Sequence, residues 1–164
     1  MAKSDSFFIR AEIDWDATNY AQTAIDLGAY VDALGKSVLR IHNISVQWTD
    51  PTDNIAGDPA GTGFSNSAFQ LTTQSQTAMV NAYNRSVIAS GALALGKGAT
   101  PTMYDSIDVA PQHWTNGYLV AVEQLYLACD QSFNIGATTL SIVLECTVES
   151  MSQSSAMALA LSQQ

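Results

Sequence analysis

The chain has 164 residues, and 15 acidic against six basic side chains give it a formal net charge of −9. Its Lys and Arg residues are scattered and form no basic arm, which argues against direct binding of nucleic acid. No apolar run reaches the roughly 18 residues of a membrane span, and residues 1–6 do not resemble a signal peptide. These features favour one domain over residues 1–164, synthesised in the cytoplasm and not exported.

The first predicted strand begins at Phe7 and ends near Trp15. Apolar side chains alternate with polar ones along it, which is the pattern of a strand with one buried face. Its polar face carries Arg10, Glu12 and Asp14, and these charges indicate a solvent-facing or edge position. A weaker alternation over residues 20–27 predicts a second strand.

The third predicted strand, over residues 36–48, contains a slip in its pattern. Leu39 and Ile41 share one phase, whereas Ile44, Val46 and Trp48 follow one residue later. One extra residue near positions 42 and 43 would place all five side chains on the core side. The sequence therefore predicts a β-bulge there.

Residues 49–66 form the longest stretch of low hydrophobicity and predict a surface loop. It contains four oxygen-bearing side chains, Asp50, Asp53, Asn54 and Asp58. Oxygen-rich loops can bind Ca²⁺, but the spacing does not match an EF-hand loop. The four residues are therefore either a solvated turn cluster or a calcium site.

Further strands are predicted over residues 68–79, 86–95 and 104–110. The longest pair follows, because residues 118–129 are apolar on nearly both faces and residues 140–148 alternate cleanly. The polar segment between them predicts a hairpin. In that register Cys129 and Cys146 lie too far apart to bridge, so we expect two buried free thiols.

The tail, residues 152–162, is rich in Ala, Met and Leu, and Ser152 or Ser154 can cap a helix there. About seven or eight strands with little helix predict an all-β fold. We expect a two-sheet β-sandwich, with the jelly roll as the favoured form, followed by a short C-terminal helix.

The residues of an enzyme are sparse in this sequence. His42 and His113 have no nearby nucleophile or second metal ligand at a suitable spacing. Glu123 and Glu145 would approach each other in the predicted hairpin, and a carboxylate pair can hydrolyse glycosides. Nothing else in the sequence builds a sugar cleft. We therefore expect no enzymatic activity and no cofactor.

Residues 25–48 and 69–76 resemble single jelly-roll coat proteins of virions, with no diagnostic motif. The resemblance covers about a third of the chain. It implies a capsid subunit that assembles with copies of itself, and with other virion proteins, into an icosahedral shell. Many small coat proteins carry a basic N-terminal arm, whereas residues 1–6 hold only Lys3. The resemblance therefore also implies that cations, a lipid layer or another protein neutralises the genome.

The leading hypothesis is a non-enzymatic virion structural protein. The alternative is a non-catalytic binding module for a carbohydrate or receptor, with the loop of Asp50 to Asp58 as a calcium or ligand site. The third hypothesis is a hydrolase that uses Glu123 and Glu145.

Overall fold

The computed structural model describes residues 4–15, 19–32, 36–54, 63–97, 102–107, 114–131 and 137–164. Within these ranges the chain forms nine strands and one helix. The strands are β1 Phe7–Trp15, β2 Ala21–Asp26, β3 Ser37–Thr49, β4 Gly63–Thr72, β5 Val87–Lys97, β6 Thr102–Ile107, β7 Tyr118–Val120, β8 Gln124–Gln131 and β9 Thr138–Ser150. The helix is α1, Gln153–Ser162.

The strands form two antiparallel sheets. The first sheet has the order β1-β9-β3-β7, and the second has the order β2-β8-β4-β5-β6. The pairings are nested along the sequence, from the outermost strands to the central ones: β1 with β9, β2 with β8, β3 with β7 and β4 with β5. This nested pairing across two sheets is the arrangement of a jelly roll. The predicted all-β sandwich with a short C-terminal helix is therefore confirmed.

The predicted hairpin of residues 117–150 is wrong. Strand β8 pairs with β2 and β4 in the second sheet, whereas β9 pairs with β1 and β3 in the first. The apolar stretch 118–129 is also divided, because β7 lies in the first sheet and β8 in the second. Apolar faces reveal that a strand is buried, but they do not identify its neighbour.

The predicted bulge is confirmed, since the register of β3 against β9 shifts between Ile41 and Asn43. It keeps both halves of β3 facing a core that the two sheets share. The large apolar side chains of this core that are at most 1% exposed lie on β3, β4, β8 and β9 and just after β2: Leu27, Leu39, Ile41, Leu71, Leu125, Leu127, Leu140, Ile142 and Leu144.

Helix α1 covers a second, smaller apolar cluster. Ser152 caps the helix by accepting a hydrogen bond from the Ser155 N–H. Ala156 and Ala160, one turn apart, pack with Val38 and Ala121. In the described residues no helix has the length and hydropathy needed to span a membrane.

Candidate functional site

The segment 73–86, which joins β4 to β5, is held against the second sheet by side-chain amides. The strand predicted over 68–79 therefore ends early, at Thr72. Buried Gln70 binds the backbone of Val80 twice: its Nε2 donates to the Val80 carbonyl at 2.6 Å and its Oε1 accepts from the Val80 N–H at 3.1 Å. The Gln76 N–H donates to Gln22 Oε1 on β2 at 2.9 Å. These bonds fix the shape of loop 73–86.

Loop 73–86 presents an aromatic ring to solvent. Tyr83 is 97% exposed. The turn beneath it is ordered, because Asn81 Oδ1 accepts from the Tyr83 N–H at 2.9 Å and Asn84 Oδ1 accepts from the Ser86 N–H at 3.0 Å. A rigid backbone that carries an unburied Tyr is typical of a protein contact, since aromatic side chains dominate interface energetics.

The outer face of α1 is also apolar. Met157 is 43% exposed and Leu161 is 68% exposed, and the two side chains lie one turn apart on the same face. Arg85 of loop 73–86 donates from Nη2 to the Gln164 carbonyl just beyond the helix at 2.9 Å. We call this region, with Tyr83, Met157 and Leu161, the loop–helix surface.

Gln163 connects the loop–helix surface to β7 and to the start of the segment that leads to β8. Its Oε1 accepts from the Ala121 N–H at 2.9 Å, and its Nε2 donates to the Leu119 carbonyl at 2.6 Å. Its own carbonyl accepts from Thr73 Oγ1 at 2.7 Å. The Gln163 residue is only 4% exposed. It therefore replaces strand pairing where the chain crosses from β7 to β8.

A polar groove of about 580 Å³ lies on the outer side of the first sheet, beside the bulge. Arg40 crosses it and binds Glu149 with two hydrogen bonds, from Nε at 2.8 Å and Nη2 at 2.7 Å. This ion pair raises the pKa of Arg40. Arg40 Nη1 also donates to the carbonyl of Asn116. Trp114 forms one wall of the groove.

Gly117 fixes the loop at the groove's edge. Its φ of 72° lies in the left-handed region, and a Cβ there would come within 2.5 Å of the Ile41 carbonyl oxygen. Only glycine fits such a position without strain. The loop therefore holds the Asn116 carbonyl against Arg40.

The structure places the predicted calcium ligands in a turn after β3. Asp50 Oδ1 accepts from the Thr52 N–H at 2.7 Å, and the Asp50 carbonyl accepts from the Asn54 N–H at 2.9 Å. Asp53 and Asn54 are exposed, and Asp58 lies outside the described residues. No group of three His, Cys, Asp or Glu side chains in the described residues is placed to hold a metal. The calcium site stays a prediction.

The predicted approach of Glu123 to Glu145 across a hairpin is wrong. Glu145 lies on β9 in the first sheet and accepts a hydrogen bond from Asn43 Nδ2 at 2.5 Å. Glu123 lies between β7 and β8, where the chain passes to the second sheet. His42 contacts Thr147 through Nε2 at 2.9 Å, and His113 lies outside the described residues.

The prediction of two free, buried thiols is confirmed for Cys129 and Cys146. Burial raises the pKa of each thiol to about 12. The thiolate is the reactive form. At pH 8 we therefore expect a fraction of about one in ten thousand to be ionised.

We expect native protein at pH 8 to react negligibly with a thiol-specific disulfide reagent over an hour, and to release about two equivalents in guanidinium chloride. Unfolded thiols ionise near pH 8.5, so the free energy of unfolding should also fall as pH rises from about 9 toward 12. Rapid labelling of the native state would contradict this assignment.

Comparisons with known proteins give only distant structural neighbours. No family model matches the chain, and no curated protein matches it. The chain is similar to dimeric latent PorU from Porphyromonas gingivalis, with 12% identity over 88% of this chain and a TM-score of 0.42. It spans 13% of that protein's length. It is also similar to the unassembled VP1 pentamer of Merkel cell polyomavirus, with 9% identity, a TM-score of 0.34, and coverage of 87% of this chain and 94% of that one. Neither similarity assigns a function.

Proposed function

We propose that the chain is a structural subunit of a virion, a capsid or coat protein that assembles with copies of itself and has no enzymatic activity. The main support for self-assembly is Tyr83. Its aromatic side chain is 97% exposed, and it lies on a loop whose backbone is held by hydrogen bonds. Such a ring contributes nothing to the core of its own chain, whereas it can anchor a neighbour. Met157 and Leu161 on α1 are further exposed apolar side chains.

The composition of the surface supports self-association. Only 13% of the residues are charged, so contacts between copies would bury mainly Ser, Thr, Asn and Gln. Desolvating these neutral groups costs less than desolvating Lys or Glu. The jelly roll occurs in viral capsid proteins, but also in lectins and cupins, so the fold is compatible with the proposal without deciding it.

The groove supports a structural role more than a catalytic one. Arg40 and Glu149 bind each other there, and Arg40 also holds the Asn116 carbonyl. Charged groups engaged in this way stabilise a loop. With a formal net charge of −9, such a subunit would leave its genome to be neutralised by cations, lipid or another protein.

Tyr83 provides the test. We expect purified protein to form large oligomers or closed particles, seen by light scattering and electron microscopy. Tyr83→Ala should weaken assembly by at least about tenfold in critical concentration, because the ring loses its burial in the neighbour. The melting temperature of unassembled protein, measured below the critical concentration, should not change, since the exposed ring contributes nothing to folding.

Tyr83→Phe is the matched control and should assemble, because it retains the ring. Full assembly of the Ala variant would contradict the proposed contact between Tyr83 and a neighbouring copy. A wild-type protein that stays monomeric and binds immobilised glycans beside Trp114 would instead support the binding module.

A further inference from the structure

Strand β1 is a long edge of the first sheet. It contains nine residues and pairs with β9 on one side. Among the described residues no strand covers its other side. The other edge strands are shorter, with six residues in β2, six in β6 and three in β7. A long edge exposes backbone N–H and C=O groups that can pair with another strand.

The outward face of β1 carries two charged side chains of opposite sign near its centre, Arg10 and Glu12. Arg10 and Glu12 are exposed, and in the described residues neither forms an ion pair. The guanidinium of Arg10 lies 5.5 Å from the ring centre of Phe8, which is itself exposed. Opposite charges two residues apart on one face make the strand complementary to its own reversed copy.

We propose that β1 pairs antiparallel with β1 of a second copy, about a two-fold axis at Ala11. This inference rests on the proposed self-assembly and names one of its contacts. In this register Arg10 lies opposite Glu12 of the partner subunit, and Glu12 lies opposite the partner's Arg10. On the inner face Ile9 lies opposite the partner's Ile13. Two four-stranded sheets become one continuous sheet.

Charge selects this register among the neighbouring ones. An axis at Arg10 would place Arg10 opposite its own copy. An axis at Glu12 would bring Arg10 opposite Asp14 of the partner subunit, but it would also place Glu12 opposite its own copy. An axis at Ile13 would place Glu12 opposite Asp14 of the partner subunit. Like charges directly opposite each other destabilise a sheet. An axis at Ile9 brings no opposite charges together. An axis between two residues would place inward side chains opposite outward ones.

The test reverses one charge at a time. Arg10→Glu makes both outward pairs acidic, and Glu12→Arg makes both basic. For each variant alone we expect the dissociation constant of the dimer, measured by sedimentation velocity at low salt, to rise at least about tenfold. An equal mixture of the two variants should restore dimers, because each pair again joins opposite charges. The double variant should dimerise like the wild type for the same reason.

Lys36→Glu is the matched control, because it makes the same charge change at an exposed residue outside β1. It should leave the dimer unchanged. Measured on dilute, monomeric protein, all variants should keep the wild-type melting temperature, since the altered side chains are exposed.

The outcomes separate this contact from the proposed function. Assembly that ignores both single reversals, or that fails to recover in the mixture, would overturn the β1 pairing and leave the shell proposal standing. Charge-dependent dimers that grow no further would support the β1 pairing and overturn the shell. A wild-type protein that is monomeric at all concentrations would overturn both.

Discussion

Replacing Gln163 by Ala should lower the free energy of unfolding by about 2–4 kcal/mol. The amide of Gln163 satisfies the Ala121 N–H and the Leu119 carbonyl at the crossing between the sheets. Ala121 is fully buried, so its N–H cannot form a replacement hydrogen bond with bulk water. Each buried polar group left without a partner costs about 1–3 kcal/mol. Urea denaturation gives the measurement.

The neighbouring Gln164 provides the control. Its side chain is exposed, and its contact with Arg85 uses the backbone carbonyl. Gln164→Ala should therefore change the free energy of unfolding by less than about 0.5 kcal/mol. Equal effects of the two substitutions would contradict the role given to the Gln163 amide.

Gln163→Glu adds a test by pH. A protonated carboxyl can still donate to the Leu119 carbonyl and accept from the Ala121 N–H, whereas the carboxylate cannot donate. Burial and the lost donor should therefore raise the pKa of the introduced carboxyl above its unfolded value near 4.3. The folded state then holds the proton more tightly. The variant should lose stability relative to wild type as pH rises from about 4 through the raised pKa.

The second large effect is expected at Glu149. Glu149→Ala should lower the free energy of unfolding by about 2–4 kcal/mol. In the ion pair with Glu149, the Arg40 side chain is 17% exposed. Without the Glu149 carboxylate, Arg40 would be a mostly buried charge with no ion-pair partner in the groove. Its bond to the Asn116 carbonyl would loosen as well. Denaturant melts and proteolysis near residues 114–117 would detect both changes.

A double substitution separates the pair from its parts. Arg40→Met with Glu149→Met should cost less than the sum of the two single substitutions, because it leaves no unpaired buried charge. Glu145→Ala is the control on the same strand. The Glu145 side chain accepts a hydrogen bond from Asn43, and its loss should cost less than about 1 kcal/mol. Strict additivity at Arg40 and Glu149 would contradict a coupled pair.

Local features of the fold were predictable from the sequence. Alternation located β1, and the one-residue slip located the bulge between Ile41 and Asn43, because side-chain direction depends only on neighbouring residues. The helix was visible in its composition and in the capping Ser152. Each of these features is decided within about a dozen residues.

The choice of strand partners was not predictable, because it depends on distant residues. Strands β8 and β9 have the composition of a hairpin, yet each lies between two other strands and cannot pair with the other. Most residues of the candidate site were not predictable from the sequence, because their roles also depend on contacts with distant residues. In the sequence, Gln70 and Gln163 look like ordinary surface amides. Only the contacts in the structure show that each binds the backbone of another segment. A connection between the strands predicted over 68–79 and 86–95 was visible, but not the exposure of Tyr83.

The pairing of the earliest strand with the latest one constrains how the protein is made. During translation β1 leaves the ribosome long before residues 138–150, with which it must pair. The nascent chain therefore holds unpaired strands until residues 138–150 have been synthesised, and such long-range pairing is slow and prone to aggregation. A polypeptide that lacks β9 cannot order β1, so only chains that contain both strands would offer the β1 edge to one another.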